Sequence, residues 1–293
     1  MLSITKPLSI NWMADFHTFR SIINIIKFGA FFKFVMMRPI FISVPVILAS
    51  FAFSGADCQA APEEIQVYMD EMDEPGKFGL DLHSNYVFSG SGIPYYPGAI
   101  PPVHVYRLTP ELSYGLTPSF ELGVYFLSSY QHASGITANG EKLRLKFIAP
   151  KEPEQAYFWG ANLEVGKVSA SVDQNPWNAE LKGIYGYRTQ LWTFAFNANI
   201  DWPISGPAPV PATLELDTKV AYAVNDKYKV GFESYNGIGP MRQPGYFFQQ
   251  SQTLYAVLDT DISGWDLNLG LGRGFSSVSD KLILKAILGV PFD

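Results

Sequence analysis

The chain has 293 residues, of which 47% are hydrophobic, 15% aromatic and only 16% charged, and its mean hydropathy is +0.06. Its 27 acidic residues outnumber 21 basic ones, and this net charge of -6 excludes the basic footprint of a nucleic-acid-binding protein. The single cysteine, Cys58, excludes an intrachain disulfide and a cysteine-based metal site. Few charges at near-zero hydropathy imply that apolar and polar residues alternate closely, which favours amphipathic strands over membrane-spanning helices.

The start of the chain carries the pattern of a secretory signal peptide. Arg38 is followed by an apolar run that ends at Phe53, and small residues follow at a plausible cleavage point. We therefore predict a signal peptide over residues 37–60, with cleavage after Ala60 or Ala61.

Residues 1–36 do not fit an ordinary signal. Met36 and Met37 would give a signal of normal length, so we interpret residues 1–36 as a mis-assigned start or a leader extension. A long export leader is one alternative. A helical membrane anchor is another, although Lys27 and Lys33 interrupt its apolar run.

The remainder divides into an acidic segment and a region of period-two alternation. Residues 61–75 lack periodicity, and we predict that they form a periplasmic N-terminal segment. Alternation over residues 76–293 predicts an all-β fold, a closed antiparallel transmembrane β-barrel of about 12 strands. The predicted strands cover residues 77–88, 103–116, 118–130, 140–149, 156–168, 176–188, 191–203, 212–224, 228–236, 250–262, 264–274 and 279–292.

Alternation alone does not separate a membrane barrel from a soluble β-protein, but three further features favour the membrane. The connections alternate between short turns and longer loops rich in Gly and Pro. Aromatic residues stand near strand ends, as Trp192 and Trp202 do, where two interfacial girdles would lie. Phe292 resembles the C-terminal signal of barrel assembly, although Asp293 departs from it. We therefore predict the bacterial outer membrane, with its lipid and the barrel-assembly machinery as partners.

Charged residues on the predicted inner face suggest a constriction. Lys142, Arg144 and Lys146 form a basic ladder, which we place in the outer half of the fourth strand, opposite an acidic arc. One hypothesis is a filter that selects solutes, and the other is a set of ion pairs that brace a closed barrel. The complete predicted set is Lys142, Arg144, Lys146, Glu180, Lys182, Asp201, Glu215, Asp217 and Lys219.

Signals for catalysis are weak. After the predicted signal peptide the histidines are His83, His104 and His132, and no G-x-S-x-G motif occurs. A lipase-like pair of Ser and His remains an alternative, because such pairs are spatial rather than sequential. We predict no enzymatic activity, no cofactor and no metal site.

Seven segments resemble a proteobacterial family of outer-membrane barrels that is associated with the meta-pathway of phenol degradation. The resemblance covers about residues 64–292 and implies an outer-membrane location and a transport role. It implies no substrate and no functional residue. The segments are EIQVYMDEMDEPGKFGLDLH (64–83), TPELSYGLTPSFELGVY (109–125), FWGANLEVGKVS (158–169), NPWNAELKGIYGYR (175–188), LELDTKVAYAV (214–224), ESYNGIGP (233–240) and QTLYAVLDTDISGWDLNLGLGRG (252–274).

Together these features predict a channel or transporter for passive passage of small solutes. The suggestion that the solutes are aromatic or apolar comes from the resemblance alone. The competing prediction is a closed barrel with a structural or surface-interaction role. Its partners would meet long loops over residues 89–102 and 237–249.

Overall fold

The computed structural model describes residues 63–208 and 210–291. The predictions about the signal peptide, the translation start and Phe292 concern residues outside these ranges. Among the residues described, no helix combines the length and the apolar character needed to cross a membrane.

The described chain forms the predicted closed barrel of twelve antiparallel strands, each paired with its sequence neighbours, and β1 pairs with β12 to close the sheet. Closure pairs the backbone N–H and C=O groups of both edges, as a strand in hydrocarbon requires. The strands are β1 (Phe78–Ser89), β2 (Tyr106–Thr117), β3 (Phe120–Gln131), β4 (Gly135–Ile148), β5 (Tyr157–Val168), β6 (Trp177–Arg188), β7 (Trp192–Ser205), β8 (Thr213–Ala223), β9 (Tyr228–Pro240), β10 (Ser251–Ile262), β11 (Trp265–Gly274) and β12 (Leu282–Val290).

Aromatic side chains ring the outside of the barrel at two levels, which confirms the predicted girdles. Between them the outward face is mainly aliphatic, and these large apolar groups remain exposed because no protein covers them. Such a continuous apolar belt is stable only against lipid. One girdle contains Phe78, Phe120, Tyr157, Tyr187, Trp192, Tyr222, Tyr228 and Trp265, and the other contains Phe88, Tyr106, Tyr130 and Trp177.

Most connections follow the predicted alternation of short turns and longer loops. The short turns lie at the end where β1 begins, the periplasmic end of an outer-membrane barrel. Residues 131–139, predicted as a loop, are an exception, because β4 already begins at Gly135 and the β3–β4 turn spans only residues 132–134. The β4 strand therefore extends further outward than its alternation alone indicated.

The lipid-facing belt provides a direct test of orientation. Leu163 lies at the middle of β5, between Leu145 and Leu181 on the neighbouring strands. We expect Leu163→Arg to lower the free energy of unfolding by about 2–4 kcal/mol, because the guanidinium would enter hydrocarbon. Tyr157→Arg, on the same face but at the girdle, should cost only about 0–1 kcal/mol. Urea titration in lipid vesicles measures both, and equal costs would contradict the assigned depths.

Candidate functional site: the barrel lumen

The inward face of the barrel is mainly polar, and many of its side chains are buried. Charged and amide side chains such as Arg144, Glu164, Lys182 and Asn197 are each at most 6% exposed. A water-filled pore would leave such groups accessible. Another part of the chain must therefore fill the lumen.

The acidic N-terminal segment, residues 63–75, lies inside the barrel. The sequence predicted a periplasmic position for it, and the structure corrects this. Ile65, Val67 and Tyr68 are between 2% and 4% exposed and pack against inward-facing apolar side chains. At its end Gly76 donates a backbone hydrogen bond to Gly115 at 2.7 Å, which joins the segment to the periplasmic rim.

Tyr68 is the centre of this segment. Its backbone is held on both sides by the side-chain amide of Asn197, which accepts from the Tyr68 N–H at 2.6 Å and donates to the Tyr68 carbonyl at 3.0 Å. The phenol hydroxyl lies 2.7 Å from Glu64 and 2.5 Å from the Tyr125 hydroxyl. This ring therefore has a fixed position within the lumen.

Three cations surround the Tyr68 ring. The Lys182 ammonium is 4.2 Å from the ring centroid, the Lys146 ammonium is 5.4 Å away and the Arg144 guanidinium 5.9 Å away. Each contact of this kind contributes about 0.5–2 kcal/mol, with the larger values at desolvated sites. The result is a cationic cage around one aromatic ring.

Ion pairs hold the rest of the segment against the barrel wall. Arg188 contacts Asp70 at 2.9 Å and Glu71 at 2.6 Å, and Lys151 also pairs with Asp70. Towards the other end of the segment, Lys142 lies 3.8 Å from Glu63. The segment contributes only acidic charges, and its partners are basic side chains of the wall and its turns.

At the periplasmic mouth Asp73 of the segment contacts Glu121 and Ser113 of the barrel wall. The Asp73 N–H donates to the Glu121 carboxylate at 2.5 Å, and Ser113 donates to the Asp73 carboxylate. Burial raises the pKa of Asp73 above its usual range, and the Ser113 hydrogen bond opposes this shift.

The basic ladder occupies the periplasmic half of β4, so its predicted position in the outer half is wrong. Arg144 and Lys146 are the tenth and twelfth of the 14 residues of β4, counted from the outer end. Because β4 starts five residues earlier than predicted, the whole ladder moves inward. Arg144 pairs with Glu111 and with Glu121, the latter at 2.6 Å, and Lys146 donates to the Glu71 carbonyl at 2.6 Å.

The acidic arc does lie in the outer half of the lumen. Glu180 is directly opposite Asp201 across β6 and β7, and Glu215 follows on β8. Asp217 accepts a hydrogen bond from Asn199 at 2.7 Å. Lys182, which pairs with Glu180 at 3.1 Å, links this arc to the cage around Tyr68.

Lys219 is separate from both groups and belongs to a network on β8–β12. Glu233 is its centre, 3.1 Å from Lys219 and in contact with Lys285, and both Glu233 and Lys285 are about 1% exposed. Lys285 also donates to the Ile65 carbonyl at 2.9 Å. Glu233 and Lys285 are absent from the predicted set of lumen charges, although both lie on inward-facing positions.

The sequence also missed an apolar cluster on the inward face. Phe158 and Tyr255 are at most 2% exposed and pack with Ile65 and its neighbours. Tyr255 lies across from Gly272, where an added Cβ would meet the tyrosine ring at 2.4 Å. A glycine alternating with lumen residues is the only available signal for this close approach.

Cavities on the two sides of the segment differ in size. A cavity of about 280 Å³ opens on the periplasmic side, lined by Arg144, Lys146, Asp81 and Asp266 among others. On the outer side, the space between Glu63, Arg107 and Ser129 is about 20 Å³, room for roughly one water molecule. The segment therefore lies between a periplasmic vestibule and the outer part of the lumen.

One group of side chains has the spacing of a metal site. Glu64, His83 and Glu111 present ligand atoms within 4.8 Å of one another. The Arg144 guanidinium already contacts Glu111, and His83 lies 3.1 Å from the same carboxylate. Since a positive charge is present at this point, a metal cation would meet repulsion there.

No protein-family model matches the sequence, and no curated protein sequence matches it. Solved structures with the same fold include the KdgM porin, with a TM-score of 0.50 and 9% identity over 73% of this chain and 99% of that chain. The NanC porin has a TM-score of 0.50 and 12% identity over 73% and 99%. The COG4313 outer membrane channel from Pseudomonas putida F1 has a TM-score of 0.51 and 13% identity over 78% and 100%.

The closed barrel, its apolar belt and these structural neighbours define the class of protein. The chain is an outer-membrane β-barrel with the architecture of porins and channels. At identities of 9–13% this structural likeness shows a shared fold alone, and it does not show the association with phenol degradation.

Proposed function

We propose that this protein is an outer-membrane channel for passive passage of small solutes and that residues 63–75 act as its internal plug. The observation that supports this most directly is the position of Tyr68, 2% exposed and in contact with β4, β6 and β7. When the segment leaves, its binding surface becomes the wall of the pathway.

The chemistry of that wall favours aromatic anions. The Tyr68 ring occupies a cage of three cations, and Tyr125 contacts its hydroxyl group. A small solute with an aromatic ring and a carboxylate would meet the same cations, through its ring face and its charge. The polar wall gives no comparable support to purely apolar solutes.

The ladder tests this proposal. We expect the Lys142/Arg144/Lys146 triple alanine variant to lose the preference for an aromatic over an aliphatic anion, because Arg144 and Lys146, two of the cations that face the ring, are gone. Liposome swelling with benzoate and with cyclohexanecarboxylate, which carry the same charge, would be measured for full-length protein and for protein lacking residues 63–75. The original chain should pass benzoate several-fold faster, and the variant should show no preference.

Two results would contradict the proposal. Unchanged selectivity in the triple variant would leave the ladder as a structural brace. Absence of swelling with every solute, even without residues 63–75, would favour the closed barrel with a surface role.

A further inference from the structure

The lipid-facing surface of the barrel carries very few charges. In the described strands three charged side chains face outward, namely Glu141, Lys167 and Arg273. Glu141 and Lys167 are direct cross-strand neighbours on β4 and β5, so their charges compensate each other. Arg273 lies opposite Leu254, and its side chain forms no hydrogen bond or ion pair with any described residue.

The position of Arg273 along β11 places it at the extracellular interface of the membrane. Eight residues separate it from Trp265 in the periplasmic girdle. At about 3.4 Å per residue and a tilt of about 40°, this distance spans about 20 Å across the membrane. The apolar band of such barrels is about 25 Å tall, so the guanidinium reaches the level of the outer-leaflet head groups.

An exposed aromatic group adjoins this position. Tyr246, Phe247 and Phe248, in the β9–β10 connection, are 72%, 61% and 74% exposed. Ser277 donates to the Phe248 carbonyl at 3.2 Å, which ties this aromatic group to the connection that follows Arg273. Phe275, 61% exposed, lies two residues after Arg273 and donates its backbone N–H to Gln252 at 2.9 Å.

We propose that Arg273 and the aromatic group bind a phosphorylated glycolipid of the outer leaflet. The outward face of the barrel already contacts lipid. Arg273 and the aromatic group extend this surface beyond the apolar belt, towards the extracellular side. A guanidinium forms bidentate, charge-assisted hydrogen bonds to phosphate. Aromatic side chains are enriched at the level between head groups and acyl chains. The ligand is therefore a lipid phosphate rather than a solute of the lumen.

The test is titration of the full-length protein in detergent with bisphosphorylated lipid A. We expect Arg273→Leu to weaken binding at least about tenfold, because a charge-assisted hydrogen bond is removed. Lys227→Leu, which removes an exposed cation from the β8–β9 turn at the opposite end, should bind like the original chain. Heat-modifiable gel mobility would verify that both variants remain folded.

Two comparisons identify the source of the phosphate and the role of the rings. Dephosphorylated lipid A should bind the original chain no better than phosphorylated lipid A binds Arg273→Leu. The Phe247→Ser/Phe248→Ser variant should bind more weakly but still prefer the phosphorylated lipid. Unchanged binding in Arg273→Leu, or equal binding of inorganic phosphate at the same concentration, would overturn the proposal.

Discussion

Deletion of residues 63–75 is expected to convert a mostly closed barrel into a steadily open channel. The segment fills the lumen with the buried side chains of Ile65, Val67 and Tyr68, and its removal would join the periplasmic vestibule to the outer side. Single-channel recording in planar bilayers should show brief, rare openings for the full chain. The deletion variant should show a constant ohmic conductance at least an order of magnitude larger on average.

A smaller change should act in the same direction. Tyr68→Ala removes the ring from the cationic cage and should increase the open fraction without shortening the chain. Tyr130→Ala, which removes an exposed ring from the outward face, serves as the control and should conduct like the original chain. If the deletion variant folds, as heat-modifiable mobility would show, and yet stays closed, the segment is not the plug.

Glu233→Gln is expected to be strongly destabilising. Glu233 is 1% exposed and lies between Lys219 and Lys285, and it also accepts a hydrogen bond from Tyr235 at 2.8 Å. The substitution would leave the Lys285 ammonium buried without a carboxylate. Removal of one partner from a buried pair costs about 3–5 kcal/mol, and we expect a loss of this size in the free energy of unfolding.

A double variant separates charge from packing. Glu233→Gln combined with Lys285→Met removes both charges and should recover most of the loss, because no unpaired charge remains in the interior. Glu154→Gln, at an exposed turn position, is the matched control and should stay within about 0.5 kcal/mol of the original chain. Urea titration gives all three values, and a double variant as unstable as the single one would contradict this account.

The plug and the network are connected through one hydrogen bond. Lys285 binds the Ile65 carbonyl as well as Glu233, so the barrel wall and the segment share a buried cation. The Lys285→Met substitution therefore tests both the stability of the barrel wall and the attachment of the segment. It should also increase the open fraction, although less than Tyr68→Ala does, because the cage remains intact.

Strand number, strand phase and the membrane-facing surface followed from local sequence. In a strand the side-chain period is two, so a stretch such as Trp192 to Trp202 specifies which side chains share a face without reference to the rest of the chain. Aromatic residues at strand ends then indicated the two girdles. The observed strands confirm these predictions.

The depth of side chains along the barrel axis and the pairing of the strands were harder to predict from the sequence. Alternation weakens at Gly135 to Asn139, and the sequence assigned these residues to a loop, whereas pairing with β3 makes them a strand. That difference moved Lys142, Arg144 and Lys146 from the outer to the periplasmic half. The pairing register of a strand depends on its hairpin partner, so the alternation within one strand does not predict it.

The sequence by itself determined a closed β-barrel with an apolar exterior and a charged interior. Both properties follow from the alternation of apolar and polar residues along each strand. Only the tertiary structure decided that residues 63–75 lie within that interior. These residues have no periodicity, and their partners, such as Asn197 and Lys285, are more than a hundred positions away. Burial of an acidic segment becomes favourable only when a folded wall supplies the cations and amides that replace water.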